Sequence, residues 1–179
     1  MTWKTLSTRV IYENGWMQVR ESEVVNPNGG RNDYGYVHFK TVAVGILPID
    51  EHDHTWLVGQ SRFTLNSYSW ELPMGGAPEG EDVLAAAQRE LREETGLEAK
   101  DWQELMRLHT SNSITDEAGV VFVAKDLTIG ATAFDETEDL AVRRLPLDEA
   151  VRMACEGEIT DAISVAALLR YALSVGRAR

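Results

Sequence analysis

From Gly75 to Leu97 the chain reads GGAPEGEDVLAAAQRELREETGL: a glycine, five residues, Glu81, seven more, then the run Arg89-Glu90-Leu91-Arg92-Glu93-Glu94-Thr95-Gly96-Leu97. On a helix, positions i, i+3 and i+4 share a face, so Glu90, Glu93 and Glu94 stand side by side. Carboxylates so placed repel one another unless a positive charge neutralises them. A hard divalent cation such as Mg²⁺, which takes oxygen ligands, answers that need. Arg89 reads as a structural partner of these glutamates. Val83, Leu84, Ala87 and Leu91 form an apolar stripe that fixes the opposite face against a sheet, so the carboxylates are expected to point away from the core, towards a cleft. Glycines bracket the segment. Gly75 and Gly76 are expected to turn the backbone tightly, and Gly96 to take the left-handed conformation that closes a helix. A helix that merely faced solvent, its charges held in ion pairs, would need neither.

Upstream, residues 9–39 alternate apolar and polar side chains around the turn signals Glu13-Asn14-Gly15 and Asn26-Pro27-Asn28-Gly29-Gly30, the pattern of an antiparallel meander. Such a layer is too thin to hold its own core and needs cover from the rest of the chain or from a second copy. The continuous apolar run TVAVGILPI, Thr41 to Ile49, suits a buried strand. Trp56 to Gln60 predicts the next strand, Phe63 to Ser69 a loop, and Trp70 to Pro73 a short strand feeding the glycines. Beyond the helix, Glu104 to Thr110 and Val120 to Lys125 are strand candidates separated by the polar loop Ser111 to Glu117, and Ala141 to Leu145 is a last strand. Leu147 to Glu156 reads as a helix opened by Pro146 and Asp148. Asp161 to Ser174 reads as another, with Thr160 as N-cap and Ile163, Ala166, Ala167, Leu169 and Leu173 towards the core. Strands on both sides of one helix, with helices at the end, predict an α/β fold whose mixed sheet is covered on both faces.

At 179 residues and 44% hydrophobic content the chain supports one globular domain with a modest accessory element. A net charge of −12 and the lack of a basic stripe argue against nucleic acid as a partner. A small anionic substrate stays compatible, because bound cations invert the local field. The lone Cys155 excludes an intramolecular disulfide, fits a reducing cytoplasm and reads as a small hydrophobe on a helix. The N-terminus lacks an apolar signal core, and no run approaches the roughly 20 residues of a membrane span, so a soluble cytoplasmic protein without membrane partners is expected.

The Gly75 to Leu97 segment resembles the Nudix box, with Gly75, Glu81, Arg89, Glu90, Leu91, Glu93, Glu94, Gly96 and Leu97 filling its fixed positions. The resemblance implies an α/β/α sandwich and a metal-dependent hydrolase of nucleoside diphosphates linked to another moiety. It extends nearly full length to the branch of ADP-ribose and nucleotide-sugar pyrophosphatases, including the N-terminal strand region. Residues 1–40 are then an element for dimerisation and substrate contact, and 41–179 the catalytic domain. By the same resemblance Glu90, Glu93 and Glu94, the main-chain carbonyl of Met74 and Glu71 of the Trp70-Glu71-Leu72-Pro73 strand are ligands of Mg²⁺, or of Mn²⁺ in its place. Arg62 matches an arginine aimed at the diphosphate, where fixed positive charge meets developing negative charge. In the acidic cluster Asp135 to Asp139, Glu136 falls where related enzymes carry a general base on a loop, with Glu138 as the alternative and Glu93 as the rival within the box.

One departure bears on substrate choice. The branch has a proline after the box in a Ser-Pro-Gly-like context, whereas this chain has Ser111-Asn112-Ser113 followed by Ile114-Thr115-Asp116-Glu117. Asn112 brings a donor and an acceptor that proline lacks, so Asn112 and Ser113 are expected to contact sugar or base differently and to broaden selectivity from ADP-ribose to other nucleotide sugars. Trp16, Tyr34, Tyr36 and Phe39 are candidates to stack on a base, Trp16 and Tyr36 foremost, against the plainer role of core aromatics on strands. The expected product pair is a nucleoside monophosphate and a sugar phosphate, formed by a homodimer. The alternatives are a nucleoside triphosphate or dinucleoside polyphosphate hydrolase, disfavoured by residues 1–40, and a non-catalytic nucleotide-sugar sensor, disfavoured by the intact box glutamates.

Overall fold

The computed structural model describes residues 2–130 and 140–176. Among the described residues, ten strands and three helices follow in the order β1 (Lys4–Glu13), β2 (Met17–Val25), β3 (Arg31–Phe39), β4 (Thr41–Pro48), β5 (His54–Arg62), β6 (Ser67–Glu71), β7 (Met74–Pro78), α1 (Val83–Thr95), β8 (Leu97–His109), β9 (Ala118–Ile129), β10 (Ala141–Pro146), α2 (Leu147–Glu156) and α3 (Ala162–Ser174).

The central sheet, ordered β7-β4-β9-β8, is mixed: β4 runs parallel to β9 and antiparallel to β7. Its two faces explain why the run from Thr41 reads as unbroken hydrophobicity. Val44 and Ile46, with Val120, Phe122 and Ala124 of β9, pack against Ala86, Ala87 and Leu91 of α1. The alternate residues, Leu47 with Val121 and Val123, pack against Ile163, Ala167 and Leu168 of α3 and Met153 of α2. A strand buried on both faces has no polar side to show. A second sheet, β10-β5-β6, contributes Leu57 and Leu145 to the α2 and α3 side, joined there by Leu72 from just beyond β6.

The meander is observed as the antiparallel sheet β1-β2-β3. Asn14 shapes its first turn by accepting the N–H groups of Trp16 and Met17, each at 2.9 Å, an Asx geometry that sequence marks with Asn-Gly. The sheet joins the main body through β3 and residues 113–116: Val37 N–H donates to Ile114 O at 2.8 Å, and Asp116 N–H to Val37 O at 3.2 Å. Tyr34 OH donates to Ser113 O at 2.6 Å, while His38 Nδ1 lies 2.6 Å from Asp116 Oδ2. Strand β1 is an exposed edge along its whole length.

Several sequence expectations are corrected. Gly75 and Gly76 do not make a tight turn; both lie within β7, paired with Val44 and Ala43, and neither has positive φ. The strand expected at Trp70 to Pro73 ends at Glu71, after starting at Ser67, where a loop was expected. It stops there because Leu72 N–H turns away to Ser164 Oγ at 2.9 Å, and Pro73 has no N–H to give. Helix α3 is capped by Asp161, which accepts Ser164 N–H at 2.7 Å, and not by Thr160. Its buried stripe is Ile163, Ser164, Ala167, Leu168 and Ala172, with Leu173 exposed, so the face is rotated from the expected one. Cys155 is exposed, not packed as a hydrophobe. Gly96 does take the left-handed conformation, φ 70°, and its N–H caps Arg92 O. Among the described residues no helix is long and apolar enough to cross a membrane.

Candidate active site

Helix α1 starts at Asp82, whose carboxylate accepts the N–H groups of Leu84 and Ala85 at 3.0 Å each. Its apolar side is held by Ala86, Ala87 and Leu91, with Val83 and Leu84 half-buried beside them. That anchoring sets the direction of the acidic face, which lies against β7. The carboxylates were expected to point towards a cleft, and Glu90 and Glu94 line one; Glu94 is only 5% exposed there, and its Oε2 accepts the main-chain N–H of Met74 at 2.9 Å. The Glu90 carboxyl crowds Gly75 so closely that a Cβ there would fall 2.1 Å from Glu90 Cδ. Gly75 is thus needed for close approach, not for a turn.

Arg89 gathers the remaining acids. Its Nη1 donates to Glu90 Oε1 at 2.7 Å and to Glu93 Oε2 at 3.1 Å, while Nη2 donates to Gly76 O at 3.0 Å and to Glu81 Oε2 at 3.2 Å. Its hydrogen bond to Glu81, then those to Glu90 and Glu93, raise its pKa above the ordinary arginine value against the opposing effect of burial. The partnership expected from the sequence is therefore present in the structure, and it extends to the backbone of β7.

These groups form one wall of a cleft of about 810 Å³ whose lining includes Met74, Gly75, Arg89, Glu90 and Glu94. Arg62 and Gln60 of β5 line it too, as does Trp16 from the β1–β2 turn, 74% exposed. Arg62 is not a surface ion pair: it forks onto the buried carboxylate of Glu71, Nε donating to Oε1 at 2.9 Å and Nη2 to Oε2. Tyr36, Asn112 and Ser113 are not brought to this cleft. They line a separate hollow of about 190 Å³ together with Tyr34 and Ile114. Glu136 and Glu138 lie outside the described residues.

Lys40, Asp161, Thr110 and Glu117 line the cleft without having been singled out as site residues from sequence. Lys40 Nζ donates to Glu13 Oε1 and Asn14 O, both at 2.6 Å, and its N–H donates to Trp16 O at 2.9 Å, so it pins the turn that carries Trp16. A lysine set directly before the apolar strand β4 was the available signal. Thr110 Oγ1 donates to Glu117 Oε2, and Asp161 does double duty as the α3 cap.

The donor set suits a hard divalent ion: Glu90 and Glu94 offer carboxylate oxygens at the cleft beside the main chain of Met74 and Gly75. Among the described residues no three acidic, histidine or cysteine side chains converge in ligating geometry, since Arg89 draws Glu93 and one oxygen of Glu90 to itself. The chemistry of the oxygens fits such an ion.

Residues 39–167 match the family described as NUDIX domain, and residues 3–37 the one described as nucleoside diphosphate sugar hydrolase N-terminal domain. An ADP-ribose pyrophosphatase of Mycobacterium tuberculosis (strain ATCC 25618 / H37Rv) is 34% identical over 181 residues, covering 98% of this chain and 86% of that protein. A methanol dehydrogenase activator of Bacillus methanolicus is 32% identical over 167 residues, covering 92% and 90%. The solved structure of an ADP compounds hydrolase superposes with a TM-score of 0.86 at 27% identity, covering 99% of this chain and 98% of that one.

Proposed function

The chain belongs to the Nudix family, and from that premise we propose that it is a pyrophosphohydrolase that cleaves the diphosphate of nucleoside diphosphate sugars, ADP-ribose among them, to a nucleoside monophosphate and a sugar phosphate. The observation that carries this reading is the cleft with Glu90 and Glu94 on one wall and Arg62 in the same space, a cation site and an anion partner side by side. The N-terminal match to nucleoside diphosphate sugar hydrolases and the relative named ADP-ribose pyrophosphatase support the substrate class.

In this reading Mg²⁺, or Mn²⁺, is held by Glu90 and Glu94 with Glu93 and the Met74 carbonyl. When bound it neutralises diphosphate charge and lowers the pKa of water. Arg62 binds the diphosphate and stabilises the charge that builds on its oxygens. A carboxylate accepts the proton of the attacking water; Glu136 is assigned that role, ahead of Glu138 and Glu93. Trp16, on a turn pinned by Lys40, is assigned to cover the base; Tyr36, Asn112 and Ser113, which line a separate hollow, are left out of the substrate site of this chain. The test is a product assay over ADP-ribose, ADP-glucose, GDP-mannose and UDP-glucose with Mg²⁺. AMP with ribose 5-phosphate is the expected pair from ADP-ribose. Turnover confined to nucleoside triphosphates, or none with any of the four, overturns the reading. Because one relative is named for activating a dehydrogenase, the assay and not the names decides.

A cytoplasmic homodimer completes the proposal. Strand β1 leaves an unpaired edge and the exposed side chains of Leu6, Val10, Ile11 and Tyr12, which a second copy would cover. Sedimentation at micromolar concentration should give a species of about 40 kDa, twice the 20.0 kDa chain. Deleting residues 1–40 should leave an aggregating or weakly folded chain with little affinity for ADP-ribose. A fully active 20 kDa species overturns the dimer.

A further inference from the structure

We propose that Glu71 is a positioning residue for Arg62, fixing the guanidinium that meets the diphosphate, and that it is not a ligand of the divalent ion; this rests on the reading of the cleft given above. The β5–β6 register pairs Val58 with Glu71, Gln60 with Ser69 and Arg62 with Ser67. Directly opposed residues of an antiparallel pair share a face, so Arg62, Gln60, Ser67, Ser69 and Glu71 lie on one side of the hairpin. Tyr68 and Trp70 lie on the other, in edge contact at 5.6 Å between ring centres. The two serines leave a shallow track, and the Arg62 side chain runs back along it towards Glu71.

Both Glu71 oxygens are taken by the guanidinium fork, Oε1 from Nε at 2.9 Å and Oε2 from Nη2. Glu71 is 3% exposed and does not line the cleft, whereas Arg62 does. A cation entering from the cleft therefore meets the guanidinium before it meets this carboxylate, and the two positive charges repel. Glu90 and Glu94, by contrast, line the cleft themselves. The fork uses Nε and Nη2 and leaves Nη1 to meet an anion, so the arginine is oriented before substrate arrives and loses less side-chain freedom on binding.

Two measurements on the full-length protein separate a positioning residue from a ligand. The first is Mn²⁺ affinity without substrate, by calorimetry or electron paramagnetic resonance. R62M/E71M removes both charges at once, so neither is stranded in the interior. It should bind Mn²⁺ within about threefold of the unaltered protein, while E90Q weakens binding by about tenfold or more. The second is a double-mutant cycle on the KM for ADP-ribose. E71Q should raise KM about tenfold in the native background and change it little in an R62M background. Loss of Mn²⁺ affinity in R62M/E71M to the level of E90Q overturns the proposal, as does an equal KM effect of E71Q in both backgrounds. If E90Q leaves Mn²⁺ binding intact, the cation site itself is misassigned, an outcome distinct from failure of the Glu71 cycle.

Discussion

Replacing Glu94 by Gln, or Glu90 by Gln, should lower kcat for ADP-ribose by about a hundredfold or more at saturating substrate and Mg²⁺. Each change removes a negative charge from the wall of the cleft while keeping side-chain volume. The two should differ in their structural cost. Glu94 is buried and accepts Met74 N–H, which the amide oxygen of Gln can still do, so the main-chain contact survives. Glu90 is bound to Arg89, and its neutralisation weakens a contact that Glu81, Glu93 and Gly76 O also share. Steady-state kinetics over a Mg²⁺ titration, with circular dichroism as the control for folding, decides it. Unchanged turnover of both variants at saturating Mg²⁺ would mean that the cation is held elsewhere.

Gly75→Ala should be nearly as damaging, about ten- to a hundredfold in kcat/KM, and Gly76→Ala much less so. Neither position needs positive φ, so alanine strains the backbone at neither. What differs is the space. At Gly75 the new methyl would stand 2.1 Å from Glu90 Cδ, and the carboxyl must swing away from its place in the cleft. At Gly76 the nearest atoms are those of Thr41, at 3.3 Å, a contact that a slight shift relieves. Melting temperatures of the two variants should be similar while their activities diverge. Equal activity loss at both positions would remove the close-approach argument.

The parts of the fold legible in the sequence are those in which local chemistry decides. Asn14-Gly15 turns, the run from Thr41 is buried on both faces, and Gly96 closes α1. Where tertiary contacts decide, the sequence was ambiguous. Two adjacent glycines signal a turn, yet Gly75 and Gly76 are strand residues, and at Gly75 the missing side chain makes room for Glu90 of the helix packed on it. Thr160 and Asp161 are both good caps, and only the packing of Ile163 and Leu168 fixes which one begins α3. Leu173 has the period of a core residue, but the buried face of α3 is rotated so that Ala172 faces the core and Leu173 faces out. At the site, residue type and spacing revealed the carboxylates of α1, because a helix places them by geometry alone. The pairing of Arg62 with Glu71 depends on the β5–β6 register, and the separation of Tyr36, Asn112 and Ser113 from the cleft depends on how β3 docks on residues 113–116. Neither is a local property.

The way β3 joins the main body has a consequence for how the molecule can diversify. The acids of α1 and their arginine are fixed by the central sheet, whereas Trp16 and Tyr36 arrive on a separate layer coupled through a few main-chain bonds and the Tyr34 and His38 contacts. Backbone bonds of that kind are indifferent to side-chain identity. On the proposed reading of the cleft, residues on the layer could therefore be exchanged over generations, altering which head group is tolerated, without unsettling the acids of α1. The hinge of such tinkering is Lys40, which belongs to both parts: its ammonium holds the Glu13 and Asn14 turn while the next residue, Thr41, opens the buried strand. Relatives that trade one nucleotide for another would be expected to vary around this lysine sooner than around Glu94.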